Sequence, residues 1–321
     1  MPSALKSSIV LLTTLVLAAC STGGSTSPSA SAAGSVAPSS AASASAEASP
    51  SASANACAKD SLATKTAGKL TIGTDNPAYP PYFDPPASGE TAADPWSSGI
   101  GDPTNGRGFE SAVAYAVANR LGFSKADVVW TYIPFDSSYA PGPKTFDFDI
   151  NQASYSAERA QAVDMSDGYY TVNQALVAVA DTDGAKATTI DLVKALKLGA
   201  QSGTTSLTYI NDTIKPTAEA SVYSSNDDAI SALNAKQIDG IVVDLPTAFY
   251  ITAAQMDHGV IVGQFPSGTN QGEHFSLVLE KGSPLTACVN GVLAAMTSGG
   301  QLDAITKSWL SLRANAPVIE P

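Results

Sequence analysis

The chain has 321 residues, a net charge of −12, and 44% hydrophobic but only 7% aromatic residues. So acidic a chain offers no basic face to phosphate, which excludes nucleic acid as a partner. Its two histidines and three cysteines form no cluster at metal-ligand spacing, and no Walker loop, nucleophile elbow or zincin helix is present.

In chain order the first feature is a leader. Lys6 is the only charge before an apolar run over 9–17, too short to cross about 30 Å of hydrocarbon as a helix. The run ends in Leu17-Ala18-Ala19-Cys20, which resembles the lipobox of bacterial lipoproteins. That resemblance implies a signal peptide over 1–19, cleavage before Cys20 and a diacylglycerol on its sulfur. The alternative is a plain secretory cut after Ala19. From 21 to 56 the chain is almost entirely Ser, Ala, Gly, Pro and Thr, with Glu47 its only charge. Such a segment buries too little apolar surface to offset the entropy of ordering it. Residues 20–56 are therefore expected to be a disordered tether with a reach on the order of 30–35 Å.

The remainder, 57–321, is long enough for one or two compact domains and holds no further stretch greasy enough to span a membrane. With Cys20 engaged by lipid, Cys57 and Cys288 are left as a pair in an oxidising compartment and are predicted to form a disulfide. Two buried thiols are the alternative.

Within this region strands and helices alternate. A buried strand over 69–74 stops at the turn signal Asp75-Asn76-Pro77. Phe109, Val113, Ala116, Val117 and Leu121 recur at helical spacing and predict a helix over 109–121 that ends at Gly122. Strands follow over 128–133 and 147–151, then a helix start near Ser156. A second set opens with a continuous apolar strand over 175–180. Asp181-Thr182-Asp183-Gly184 begins like a calcium loop but lacks the later ligands, so it reads as a turn. Thr188 with Asp191 predicts a capping box for a helix through 196. A strand over 198–200 leads into Gly203-Thr204-Thr205. Asn226-Asp227-Asp228 are expected to cap a helix running to about 237, and a strand over 238–243 ends at Asp244. This alternation predicts α/β layers with largely parallel sheets, which bind ligands beyond the carboxyl ends of their strands.

Five segments in order carry a specific resemblance: Leu70-Thr71-Ile72-Gly73-Thr74-Asp75, Gly108-Phe109-Glu110, Ser154-Tyr155-Ser156-Ala157-Glu158-Arg159, Val163-Asp164-Met165-Ser166-Asp167-Gly168-Tyr169-Tyr170 and Gln201-Ser202-Gly203-Thr204-Thr205. Together they resemble the family 3 extracellular solute-binding proteins, receptors of polar amino-acid ABC importers. The resemblance implies a two-lobe α/β fold of the type II periplasmic-binding-protein kind, with a two-stranded hinge. Lobe 1 would comprise 57–173 and 272–321, and lobe 2 would comprise 174–271.

The resemblance also implies a binding site. Arg159 would grip the ligand's α-carboxylate, because a guanidinium fork offers parallel donors to one carboxylate; the alternative is a surface arginine paired with Glu158 or Asp164. Ser154 would help from the same lobe, and Thr204 and Thr205 from the other, unless 203–205 is an ordinary strand-to-helix turn. Asp244 would pair with the α-ammonium group, or serve as a helix N-cap. Asp75 would touch the ligand side chain and lean toward a cationic one, or cap the turn before Pro77. Tyr79 and Tyr82 compete to stack on that side chain, and Phe135 would form an aromatic wall, though core is the commoner fate of such rings.

Two departures limit the carry-over. The segment 84–107 is a long Pro/Gly/Asp-rich connection containing Trp96, of the kind that is a lid or disordered. Asn151-Gln152-Ala153 and Ala157 depart from the family's usual pattern, and Gln152 would point its amide into the cleft. The expected function is capture of an amino acid or related zwitterion by lobe closure and delivery to a membrane permease. No enzyme activity and no cofactor are expected, and the receptor is taken to be a lipid-anchored monomer on the outer face of the cell membrane. The rivals are an exported cyclohexadienyl dehydratase, which shares the fold, and a ligand-sensing surface lipoprotein.

Overall fold

A computed structural model describes residues 56–265, 273–310 and 316–319. The expected signal peptide, Cys20 and the tether through residue 55 lie outside the described residues. The chain begins with β1 (Leu70–Thr74), α1 (Phe109–Arg120), β2 (Val128–Tyr132), α2 (Phe135–Ser138), β3 (Phe148–Asp149), α3 (Arg159–Ala162) and β4 (Asp164–Thr171). It continues through β5 (Gln174–Val179), α4 (Ile190–Lys194), β6 (Leu198–Gln201), α5 (Thr205–Tyr209), β7 (Ser221–Tyr223), α6 (Asn226–Asn234), β8 (Gly240–Asp244), α7 (Leu245–Tyr250) and β9 (Gly259–Gln264). Then come β10 (His274–Leu279), α8 (Leu285–Ser298) and α9 (Gln301–Leu310).

These strands form two five-stranded mixed sheets, ordered β2-β1-β3-β10-β4 and β7-β6-β8-β5-β9. The fold is α/β and two-lobed. In the first sheet β2, β1 and β3 run parallel, and β10 is antiparallel to both neighbours. In the second, β7, β6 and β8 run parallel and β5 is antiparallel to β8 and β9. The apolar run in β5 is continuous because both faces are covered. Ala175 and Val177 pack with α6 and α7 on one side, Leu176 and Ala178 with Val193 and Ile210 on the other.

The first core gathers Leu70 and Ile72 with Phe109, Val113 and Val117 of α1 and Cys288, Val289 and Leu293 of α8. Cys57 and Cys288 are joined as a disulfide with a Cα–Cα separation of 5.4 Å, so the alternative of two thiols does not hold. The long connection over 84–107 is neither a lid nor loose. Asp84 N donates to Arg107 O and Asp102 N to Asp84 O, which closes its neck. Trp96, 2% exposed, sits in the first core and its Nε1 donates to Asp75 O.

The chain crosses between sheets after β4 and again after β9, and the two crossings are bonded to each other: Val172 N donates to Glu273 O and Phe265 N to Gln174 O. A third crossing corrects the expected lobe assignment. Residues 316–319, placed by sequence with the first lobe, lie along β9, where Gln264 N donates to Pro317 O and Ile319 N to Gln264 O. Ile319 packs into the second lobe's core, which gives the tail an apolar reason to be there.

Two helix starts also differ from expectation. Ser225, one residue before the Asn-Asp-Asp run, caps α6 by accepting from Asp228 N. Thr189 holds the N-cap of α4 without a side-chain capping bond, so no capping box forms there.

Candidate functional site

The carboxyl ends of the parallel strands of both sheets face one cavity of about 230 Å³. The first lobe supplies Asp75, Asn76 and Tyr79 after β1, Phe135 after β2, and Asn151, Gln152, Ser154 and Arg159 after β3. The second supplies Gln201, Thr204, Thr205 and Ser206 after β6, Ser225, Asn226 and Asp227 after β7, and Asp244 and Thr247 at the end of β8. Nine of the ten predicted ligand residues therefore border one space. Tyr82 does not. It is buried in the first core, edge-on to Phe275, and its hydroxyl shares a 3.2 Å hydrogen bond with Thr247 beside a smaller cavity. Between the two competing tyrosines, only Tyr79 borders the main cleft.

Arg159 is 8% exposed and pairs with neither Glu158 nor Asp164, so the surface reading fails. Its Nη1 donates to Ser154 O at 2.6 Å and its Nη2 to Gly203 O at 2.7 Å across the cleft. The guanidinium lies over Tyr139 at 4.3 Å and Phe135 at 5.4 Å from the ring centroids. Gly203 has φ of 71°, and a Cβ there would meet the Tyr139 hydroxyl at 2.5 Å, so glycine is required where its carbonyl receives the arginine. Tyr79 Oη donates to Asp227 Oδ2 at 2.7 Å, another bond between the lobes.

The two threonines divide their roles. Thr204 caps α5, accepting from Leu207 N and donating to Gln201 O, so its hydroxyl is engaged in the turn. Thr205 Oγ1 lies 3.3 Å from Ser154 Oγ and bonds Glu273. Asp244 holds the N-cap position of α7 but makes no capping bond with its side chain. The antiparallel register sets Gln174 opposite Asp244, and Gln174 Nε2 donates to Asp244 Oδ1 at 2.8 Å. Burial, with Glu273 nearby, pushes the Asp244 carboxyl well above the usual carboxylate range. Asp75 borders the cleft and also caps the turn by accepting from Asn76 N, and burial raises its carboxyl.

Gln152 corrects the sequence reading. It borders the cleft with φ of 49°, but its backbone N and its side-chain Nε2 both donate to the buried carboxylate of Glu110. Tyr169 Oη donates to the same carboxylate. Glu110, in the first turn of α1, was part of a recognised motif but carried no assigned role, because only the tertiary fold brings α1 beneath residue 152. Asn151, Asp227, Gln174 and Glu273 were likewise missed as site residues. Asp149 is fully buried with neither oxygen hydrogen-bonded among the described residues, and burial raises its carboxyl well above the usual range. Gly73 makes room for it, since a Cβ there would lie 2.7 Å from Asp149 Oδ2.

Burial raises Glu110 from 4.5 to about 7, against the opposing bonds from Tyr169 and Gln152. A carboxyl with a raised folded pKa binds more protons folded than unfolded. Its contribution to stability is therefore present below 4.5 and is lost as pH rises to about 7. That window corresponds to about 3 kcal/mol. Urea unfolding of Glu110→Gln beside the wild type is expected to show the wild type losing ground over this window. Parallel pH profiles would contradict the assignment.

Among the described residues, no group of three or more His, Cys, Asp or Glu is placed to hold a metal ion, and no helix is long and apolar enough to cross a membrane. A family model described as bacterial extracellular solute-binding proteins, family 3, matches residues 89–312. Similar solved structures include an ancestral arginine-binding protein bound to arginine, 24% identical, covering 75% of this chain and 98% of that one with a TM-score of 0.58. The arginine-, lysine-, histidine-binding protein ArtJ from Geobacillus stearothermophilus is 20% identical over 78% of this chain and 96% of that one, with a TM-score of 0.59. An ancestral amino acid-binding protein described as a precursor of cyclohexadienyl dehydratase is 24% identical over 75% and 95%, with a TM-score of 0.56.

Proposed function

The chain belongs to the bacterial extracellular solute-binding proteins of family 3, and from that premise we propose that it captures an amino acid with a cationic side chain by closing its lobes. The observation that carries this reading is the charge lining the cleft. Among the described residues that line it, Arg159 is the one cation, in company with the carboxyl groups of Asp75, Asp227 and Asp244. An α-carboxylate on Arg159 and an α-ammonium on Asp244 leave Asp75 and Asp227 to be met by positive charge on the side chain. Ser154 and Thr205, from opposite lobes, sit beside Arg159 and complete the carboxylate end. Tyr79 and Phe135 flank the side-chain end as rings. Because groups from both lobes meet one ligand only when the cleft is shut, the ligand favours the closed state.

The test is thermal unfolding against the twenty common amino acids. A ligand at a hundred times its Kd contributes about 2.7 kcal/mol, which for a domain of this size is a rise of about 5–10 °C. Arginine, lysine or histidine is expected to give it; no shift with any amino acid overturns the reading.

Delivery to an ABC permease and anchorage through lipid on Cys20 belong to the same proposal. The extracellular character of the family supports export, and the Leu-Ala-Ala-Cys sequence supports the anchor. Mass spectrometry of the mature N-terminus is expected to find the diacylglycerol. A dehydratase reading draws on Asp244 as a buried acid in the cleft and on the similarity to a dehydratase precursor. Incubation with prephenate, followed by absorbance, is expected to show no turnover; turnover would favour the enzyme.

A further inference from the structure

Asp244 does not face the cleft alone. Glu273, at the mouth of β10 where the chain returns to the first sheet, shares a donor with it. Gln174 Nε2 gives one hydrogen to Asp244 Oδ1 at 2.8 Å and the other to Glu273 Oε2 at 3.0 Å. Ser206 Oγ fixes the orientation of that amide by donating to Gln174 Oε1 at 2.6 Å. The remaining Glu273 oxygen accepts from Thr205 Oγ1. Glu273 does not border the cavity, so it stands behind Asp244 and acts on the cleft through it.

Asp244 is buried, and the Glu273 carboxylate held on the same amide opposes a negative charge on it. The charged and titratable groups around Asp244 are Glu273, Arg159, Glu110, Tyr82 and Tyr170, and Tyr209 faces Glu273. Arg159 is the one cation among them, and its donors already serve Ser154 O and Gly203 O. A separate observation calls for a ligand in this same space. Asn151 borders the cavity, is 5% exposed, and its Nδ2 has no hydrogen-bond partner among the described residues.

We propose that Glu273, through the shared Gln174 amide, makes Asp244 a proton-releasing subsite for the ligand's ammonium group: Asp244 holds a proton before the ligand arrives and gives it to solvent when the ammonium binds. Asp244 passes from neutral to negative, and the incoming ammonium supplies the balancing positive charge. Glu273 is thus a positioning residue that makes capture selective for an ammonium group over a neutral amine substitute. This inference rests on the receptor reading given above.

The test is calorimetric titration of the folded chain with L-arginine in buffers of different ionisation enthalpy near neutral pH. If the wild type does not bind L-arginine, the tightest of the twenty amino acids replaces it. The apparent enthalpy of the wild type is expected to vary with the buffer by about one proton released per ligand. Affinity is expected to rise with pH by up to about tenfold per unit below the point at which Asp244 titrates. Glu273→Gln is expected to lose the buffer dependence, flatten the pH profile and weaken binding about tenfold or more. Glu273→Asp, which keeps the charge, is expected to retain proton release. For a probe without an α-ammonium group, 5-guanidinopentanoic acid, the wild type and Glu273→Gln are expected to behave alike. A wild type that binds an amino acid without proton release, or a Glu273→Gln variant that still releases one, overturns the proton-releasing subsite alone. A wild type that binds none of the twenty overturns the receptor reading first.

Discussion

Replacing Arg159 with alanine is expected to weaken amino-acid capture by at least about 100-fold, the cost of truncating one partner of a desolvated charge pair. The side chain is held from every side before a ligand arrives. Two carbonyls fix Nη1 and Nη2, one from each lobe, and two aromatic faces hold the guanidinium plane. A guanidinium has five donors, and the two bonds to Ser154 O and Gly203 O leave three for an incoming carboxylate. Preorganisation of this kind lowers the entropy lost on binding. Alanine removes the donors and also the cation that opposes Asp244, so the empty cleft becomes more acidic and rejects the carboxylate it should receive. Arg159→Lys keeps a charge but not the planar fork, and is expected to recover only a small part of the affinity. Calorimetry of the three proteins with one amino acid decides the matter. Arg159→Ala binding within a few-fold of wild type would remove Arg159 from the site.

Much of this arrangement was legible in the sequence, and the parts that were not share a physical cause. β1 and α1 could be read because their apolar residues follow a single local period and their ends carry turn and stop residues. Arg159, Ser154, Thr205 and Asp244 could be read because each belongs to a short motif that follows a strand. Glu110 could not, since a carboxylate in the first turn of a helix ordinarily faces water. Its partners Gln152 and Tyr169 lie 42 and 59 residues away in sequence. Gln174 gave no signal because its role comes from the β5–β8 register, which places it opposite Asp244. Glu273 needs that same register and a second chain crossing. The tail over 316–319 was misassigned because sequence continuity with α9 says nothing about which sheet edge is open. The Pro, Gly and Asp content of the connection over 84–107 points to a lid or disorder. That composition shapes its turns, but Trp96 decides where it packs.

Breaking the Cys57–Cys288 bond is expected to destabilise the protein without changing what it binds. The two cysteines are 231 residues apart in sequence, and a loop of that length corresponds to at most about 5 kcal/mol in the chain-entropy model, with 2–4 kcal/mol the common experience. For a domain of this size, that is a fall in Tm of about 5–15 °C. The loss falls mainly on the unfolded state, which gains freedom, and partly on the native first lobe. Cys288 is buried in α8 against the first core, and Cys57 packs on the same cluster. Without the bond, the segment before β1 keeps Leu62 on the first core, the bond from Lys65 N to Asp147, and Lys59, paired with Asp127 at 2.7 Å and lying over the Phe123 ring. That ion pair is partly solvent-exposed and is a weaker clasp than a covalent bond. Neither cysteine borders the cleft. A Cys57→Ala/Cys288→Ala variant, or the reduced wild type, should therefore unfold at lower temperature while binding the same amino acid with nearly unchanged Kd. If affinity fell in step with stability, the disulfide would be setting the geometry of the cleft through α8 and β4. Unchanged Tm would mean that the start of the folded region is held by its packing alone.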